Sequence, residues 1–153
     1  MKKIASFTVN HDKLKKGMYV SRIDGDVVTY DIRMKLPNGG DYLSGAAAHT
    51  LEHLLATHAR NSRFSSHVLY VGPMGCKTGF YILLRDSVSD ENALTLVKDA
   101  FAFARDFQGE IPGNTRVECG NYLYHDLAGA KALAADMCET LKTWSVEKFE
   151  YEK

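Results

Sequence analysis

The chain has 153 residues, 45% of them apolar and 25% charged, with 19 basic and 19 acidic side chains and a formal net charge of zero. That length suits one domain, 1–153, with a real core, and the balanced charge removes the main argument for nucleic acid or an anionic membrane as a partner. No apolar run is long enough to span a bilayer, Met1 to Ser6 turns polar too soon for a signal peptide, and three cysteines with no close pair (Cys76, Cys119, Cys138) read as free thiols in a reducing cytoplasm.

Ile4 to Asn10 alternates, with Ala5, Phe7 and Val9 on one side and Ser6, Thr8 and Asn10 on the other, which predicts a half-buried strand. A basic loop containing His11 follows. Asp24-Gly25-Asp26 is a turn signal that predicts a hairpin between Tyr19-Val20 and the next strand. Val27 to Leu36 is the clearest strand. Val28, Tyr30, Ile32, Met34 and Leu36 form one face, and Thr29, Asp31, Arg33 and Lys35 form the other, which by the habit of antiparallel sheets is expected to be solvated.

Pro37-Asn38-Gly39-Gly40 breaks that strand. A helix is expected over Ala46 to Ser62, where Ala and Leu dominate and no Pro or Gly interrupts. His67 to Gly72 and Thr78 to Arg85 read as strands, separated by Pro73-Met74-Gly75-Cys76. Such a break lets the backbone turn sharply or approach a ligand, so Cys76 has either a packing or a reactive role. Ser89 is placed to cap a helix from Asp90 to Phe107. Thr115 to Cys119 is expected as a short strand. A last helix is expected from Tyr122 to Trp144, where Leu123, Leu127, Ala130, Ala134, Met137 and Leu141 make a core stripe; Cys138, at its edge, is a packing residue. The fold class is α+β, a mainly antiparallel sheet packed against about three main helices.

The first helix carries the chemistry. His49 and His53 are four residues apart and stand on one face; Glu52 is three from His49 and shares it. Two imidazoles at this spacing reach one metal ion, with a carboxylate beside them for proton transfer. The pattern H-x-x-E-H is a metal-site signature, the reverse of H-E-x-x-H. His58 falls on the Leu51/Leu55 side and is not a ligand. A catalytic site of this kind needs a third protein ligand and leaves a fourth position open. Cys119 is the candidate, expected between a strand and a helix start where a thiolate is favoured.

Five ordered blocks now resemble one family: Ser6-Phe7 with His11; Tyr30-Asp31-Ile32-Arg33; His49 to Ala56; Gly72-Pro73-Met74-Gly75-Cys76-Lys77-Thr78-Gly79-Phe80-Tyr81; and Glu118-Cys119-Gly120-Asn121. They look like the blocks of S-ribosylhomocysteine lyase, the LuxS family, in order and spacing along nearly the whole chain. Two departures stand out. The position three residues before the Pro of the Pro-Met-Gly-Cys block, Asp in many members, is Tyr70 here, and Lys77 stands where Arg is common.

The resemblance implies cleavage of the thioether of S-ribosylhomocysteine to homocysteine and 4,5-dihydroxy-2,3-pentanedione, the precursor of autoinducer-2. It implies one divalent metal per chain, ferrous iron with zinc or cobalt as substitutes, on His49, His53 and Cys119. It implies Cys76 and Glu52 as the two proton carriers, with Arg33 helping to keep Cys76 ionised, and Ser6, His11, Asp31 and Arg33 as substrate-binding residues. It also implies a homodimer with both active sites at the interface, residues of the first strand of one subunit completing the site of the other. The residue chemistry fits this: moving a carbonyl along a sugar and then eliminating a thiol needs a Lewis acid and at least two proton carriers. The competing readings are an H-x-x-E-H zinc peptidase and a non-catalytic metal-stabilised interaction domain. Neither gives the Gly-Cys block of Cys76 a task.

Overall fold

In a computed structural model describing residues Met1–Lys153, the Asp24-Gly25-Asp26 signal is a tight hairpin turn. Gly25 takes φ +59°, a left-handed conformation that costs glycine nothing. The hairpin joins β1 (Gly17–Asp24) to β2 (Val27–Arg33). A second hairpin joins β3 (Val68–Pro73) to β4 (Gly79–Arg85). The four strands form one antiparallel sheet in the order β1-β2-β4-β3. Asp31 pairs with Tyr81 and Arg33 with Gly79 across β2 and β4.

Three helices complete the α+β fold: α1 (Gly45–Asn61), α2 (Asp90–Asp106) and α3 (Leu127–Leu141). Each starts on a side-chain cap. Ser44 Oγ accepts the Ala47 N–H, Ser89 Oγ accepts the Asn92 N–H, and Asp126 Oδ1 accepts the Gly129 N–H. Such caps each contribute about 0.5–2 kcal/mol. The helices pack on one face of the sheet. Leu51 and Leu54 of α1, Phe101 of α2 and Met137 of α3 meet Tyr30, Ile32, Phe80 and Leu84 in one buried cluster. Truncating one of these large side chains to Ala costs about 2–5 kcal/mol. Tyr30, inside this layer, donates to Asp90 Oδ1 at 2.7 Å and ties β2 to the first turn of α2. No helix is long and apolar enough to cross a membrane.

Four expectations need correction. Ile4 to Asn10 is not a strand: Ala5–Phe7 is a short 3-10 turn, and no strand pairs with the segment. Its alternation has no ladder to join, and Phe7 stays 69% exposed. Thr115 to Cys119 is likewise a turn, with the Glu118 and Cys119 N–H groups both donating to Thr115 O. The last helix begins at Leu127, not Tyr122, because Asp126 caps it there; Leu123 lies outside it and is exposed.

The fourth correction concerns the polar face of β2. Asp31 and Arg33 are buried, not solvated. What covers them is the end of the chain. Trp144 Nε1 donates to Met18 O at 2.8 Å, the Val20 N–H donates to Phe149 O at 2.8 Å, and Tyr151 stacks on Tyr19. The C-terminal segment thus runs along β1 and shields an edge strand that would otherwise be unpaired.

Candidate active site

A histidine–cysteine cluster that could hold a metal ion is built on α1 and the loop that follows α2. His49 and His53 occupy successive turns, their rings 4.7 Å apart and nearly perpendicular. Each is oriented through Nδ1. His49 donates its Nδ1–H to Tyr124 O, and His53 donates its Nδ1–H to Pro112 O at 2.8 Å. A carbonyl can only accept, so in the neutral form of each ring the hydrogen is on Nδ1 and Nε2 is bare. This is the arrangement in which a metal-ligating histidine is fixed by its outer nitrogen. Gly113 makes the second contact possible: its φ is +72°, and a Cβ there would lie 3.3 Å from His53 Nδ1.

Cys119 Sγ sits 3.4 Å from His49 Nε2 and 4.0 Å from His53 Nε2. Two bare imidazole nitrogens and one thiol sulfur, all at ligand-to-ligand separations, fit a divalent metal of the zinc or iron type. Cys119 is held by the turn onto Thr115, well ahead of α3, so the expected helix N-terminus beside it is not there. His58 points elsewhere and packs on Phe103 at 5.3 Å. Glu52 lies on α1 between the two histidines, half-buried.

A fourth residue belongs to this cluster and was not anticipated. His125 offers a ring nitrogen within 4.8 Å of the ligand atoms of His49, His53 and Cys119. Burial, with His49 and His53 nearby, holds its imidazole below the usual histidine range. The missed signal was Asp126. Read as a helix cap, it puts His125 in the same loop as Cys119 and outside the helix.

The remaining expected site residues gather on the other face of the sheet. A cavity of about 220 Å³ is lined by Ser6, His11, Asp31, Arg33, Cys76 and Tyr151, among others. None of His49, His53, Cys119 and Glu52 lines it. Alternation along β2 explains the separation, because Tyr30 and Ile32 face the helices and Asp31 and Arg33 face away. Arg33 forms a two-pronged bond to Asp31, Nε to Oδ1 at 3.1 Å and Nη2 to Oδ2 at 2.6 Å. Its Nη1 donates to Thr78 Oγ1 at 2.7 Å and lies 4.0 Å from Cys76 Sγ. Burial works against the Arg33 charge, and the Asp31 carboxylate more than offsets it. Tyr151 donates to Asp31 Oδ2 at 2.6 Å. Burial, then the Asp31 charge, pushes its phenol far above the usual tyrosine range.

Cys76 is exposed at the hairpin between β3 and β4, with its sulfur 3.1 Å from Thr78 Oγ1. A thiolate there has Arg33 as its counter-charge. Tyr70, the departure noted above, is 52% exposed and folds back over Gly72 instead of lining the cavity.

Residues 4–148 match the family model described as S-ribosylhomocysteinase (LuxS). The chain belongs to the S-ribosylhomocysteinase (LuxS) family. Its relatives include the S-ribosylhomocysteine lyase of Desulfotalea psychrophila, 48% identical over 86% of both chains. The S-ribosylhomocysteine lyase of Phocaeicola vulgatus is also 48% identical, over 86% of this chain and 84% of that one. The S-ribosylhomocysteine lyase of Clostridium acetobutylicum is 43% identical over 99% of both. The LuxS match runs from the N-terminal residues through the loop of Cys119 and the whole of α3, and ends before Tyr151.

Proposed function

We propose that this chain is a metal-dependent carbon–sulfur lyase that converts S-ribosylhomocysteine to homocysteine and 4,5-dihydroxy-2,3-pentanedione. The observation that carries the reading is the donor set on α1: two histidines with fixed outer nitrogens and Cys119 beside them, in a chain whose family membership is shown. His49, His53 and Cys119 would hold one divalent ion, with ferrous iron as the proposed metal and zinc or cobalt as substitutes. Bound there, the ion supplies Lewis acidity toward the sugar's oxygens.

The chain's own residues do the rest. Cys76 removes a carbon-bound proton next to the sugar carbonyl and returns it to the neighbouring carbon. Glu52 carries protons between the oxygens. Repeating the exchange walks the carbonyl along the chain until the homocysteine sulfur is β to it. Removal of one more proton then breaks the C–S bond and the thiol leaves. Arg33 and Ser6 orient the sugar, His11 contacts it, and Asp31 fixes the Arg33 fork.

Cys76 and Glu52 lie on opposite sides of the sheet in one chain, which supports a homodimer. The Cys76 cavity of one subunit would meet the metal half of the other. Ser6 and His11 line the same cavity as Cys76 of their own chain, so they would cross the interface together with it. A cytoplasmic location is supported by the three free cysteines. The proposed products place the enzyme in methyl-cycle recycling and, through the diketone, in autoinducer-2 synthesis and quorum sensing.

The test is thiol release from S-ribosylhomocysteine, followed with a thiol reagent. Metal-loaded protein is expected to release homocysteine. A chelator should stop the reaction, and added ferrous iron, cobalt or zinc should restore it. Loaded protein that releases no thiol would overturn the lyase reading; hydrolysis of a peptide by the same sample would point to the peptidase instead.

A further inference from the structure

The reaction as proposed makes no use of His125, although its ring lies among the metal-ligand side chains. It stacks on His49 with centroids 4.0 Å apart and planes 18° from parallel, and meets His53 at 4.9 Å with planes 77° apart. Its Nε2 is buried and has no hydrogen-bond partner in the chain. An unpaired buried polar atom is costly, so one in a folded protein calls for a reason.

The surrounding bonds define what that atom is. Thr50 is fully buried, and its Oγ1 accepts the Asp126 N–H at 2.9 Å. Oγ1 also lies 2.9 Å from His125 Nδ1, and no other acceptor is in reach of its hydroxyl proton, which therefore goes to that nitrogen. A ring whose Nδ1 accepts carries its hydrogen on Nε2. His49 and His53 are the opposite case, with hydrogen on Nδ1 and a bare Nε2. The stacking points the same way. Imidazole lone pairs lie in the ring plane, and two rings stacked face to face do not aim them at one point. His125 is therefore a donor beside the metal site and not a fourth ligand in it.

We propose that His125 is a catalytic residue of the lyase reaction: a neutral Nε2–H donor that meets an oxygen of the open-chain sugar and stabilises the negative charge developing there. The proposal rests on the lyase reading. Thr50 and the His49 ring fix the donor before substrate arrives, and preorganised donors of this kind strengthen most in the transition state. His125 transfers no proton.

Two arms of the test need no turnover. In zinc-loaded protein, a two-bond ¹H–¹⁵N spectrum should show His125 with a bare Nδ1 and a protonated Nε2, and Thr50→Val should disturb that pattern. In chelator competition, His125→Ala should lose less than about tenfold in metal affinity, while His49→Ala should no longer bind. The third arm is kinetic. His125→Ala should lower kcat ~10²–10³-fold with little change in KM, and His125→Asn, which keeps an N–H, should recover part of it. A bare Nε2, or metal loss in His125→Ala as complete as in His49→Ala, would make His125 a ligand and overturn the donor. An unchanged kcat would remove it from the reaction. Wild-type protein that releases no thiol at all would defeat the lyase reading and the substrate assigned here; the spectrum and the competition would still report whether His125 is a donor or a ligand.

Discussion

Cys76 and Glu52 are the two side chains asked to move protons, and their surroundings differ in ways that separate their tests. Cys76 is exposed and is no part of the metal cluster. Cys76→Ala should keep the fold and the metal and lose turnover. Alkylation should reach Cys76 well before Cys138, because Cys138 packs against the core and burial pushes its thiol up. Equal labelling of the two would leave Cys76 without a special role. Glu52→Gln keeps shape and removes the ability to accept or give a proton. It should bind metal and substrate nearly as wild type and lose ~10²–10⁴-fold in rate. Thiol release within about threefold of wild type would take Glu52 out of the mechanism. Cys119→Ala should lose the metal, since it removes one of the three proposed ligands; full metal content in that variant would require another third ligand.

At this scale the sequence was most legible where spacing alone sets geometry. A step of four residues from His49 to His53 puts two imidazoles on one helix face in any context. Cys119 is different. Spacing along a loop says nothing of where the loop returns; a soft thiolate made Cys119 a candidate, and its position among the family's blocks paired it with the histidines. His125 was hidden because apolar periodicity runs back from α3 through Leu123. The cap at Asp126 was the better guide to where the helix starts.

At the scale of the element, β2 holds the most consequential difference between pattern and environment. The alternation of Asp31 and Arg33 with Ile32 was correct, but their burial depends on Tyr151, which lies at the far end of the chain. No local pattern encodes that cover. It makes a stability prediction. Tyr151→Phe removes one hydrogen bond to a buried carboxylate and should cost ~1.5–3 kcal/mol, read as a lower urea midpoint. Asp31→Ala leaves Arg33 buried without its partner and should cost more, ~3–5 kcal/mol. The sign of the pH effect follows from the raised Tyr151 phenol. The folded state keeps a proton that the unfolded chain releases near pH 10, the ordinary tyrosine value. This contribution is complete below that pH and is lost as the pH climbs toward the folded value. Wild-type stability should therefore fall above about pH 10, and Tyr151→Phe should fall less steeply. Parallel slopes for the two proteins would show that Tyr151 does not titrate with unfolding. The N-terminal segment gives the complementary lesson. Ile4 to Asn10 has a strand's alternation but no strand beside it, and alternation without a ladder makes no sheet.

At the scale of the whole molecule, the histidine–cysteine cluster and the Cys76 cavity lie on opposite faces of one sheet, and the proposed reaction requires them to meet between two copies. Isologous dimers make a direct test, because each interface presents the same pair of surfaces twice. Cys76→Ala and Glu52→Gln are each expected to be inactive alone. In a dimer with one of each, the metal half of the Cys76→Ala chain faces the intact Cys76 of its partner, and one complete site results. The decisive measurement is thiol release from S-ribosylhomocysteine by a co-expressed mixture of the two variants, with mixed dimers isolated by distinct tags. Isolated mixed dimers should recover about half of the wild-type rate per dimer. Mixed dimers as inactive as either parent would show that Glu52 and Cys76 must come from the same chain, and would contradict the shared site.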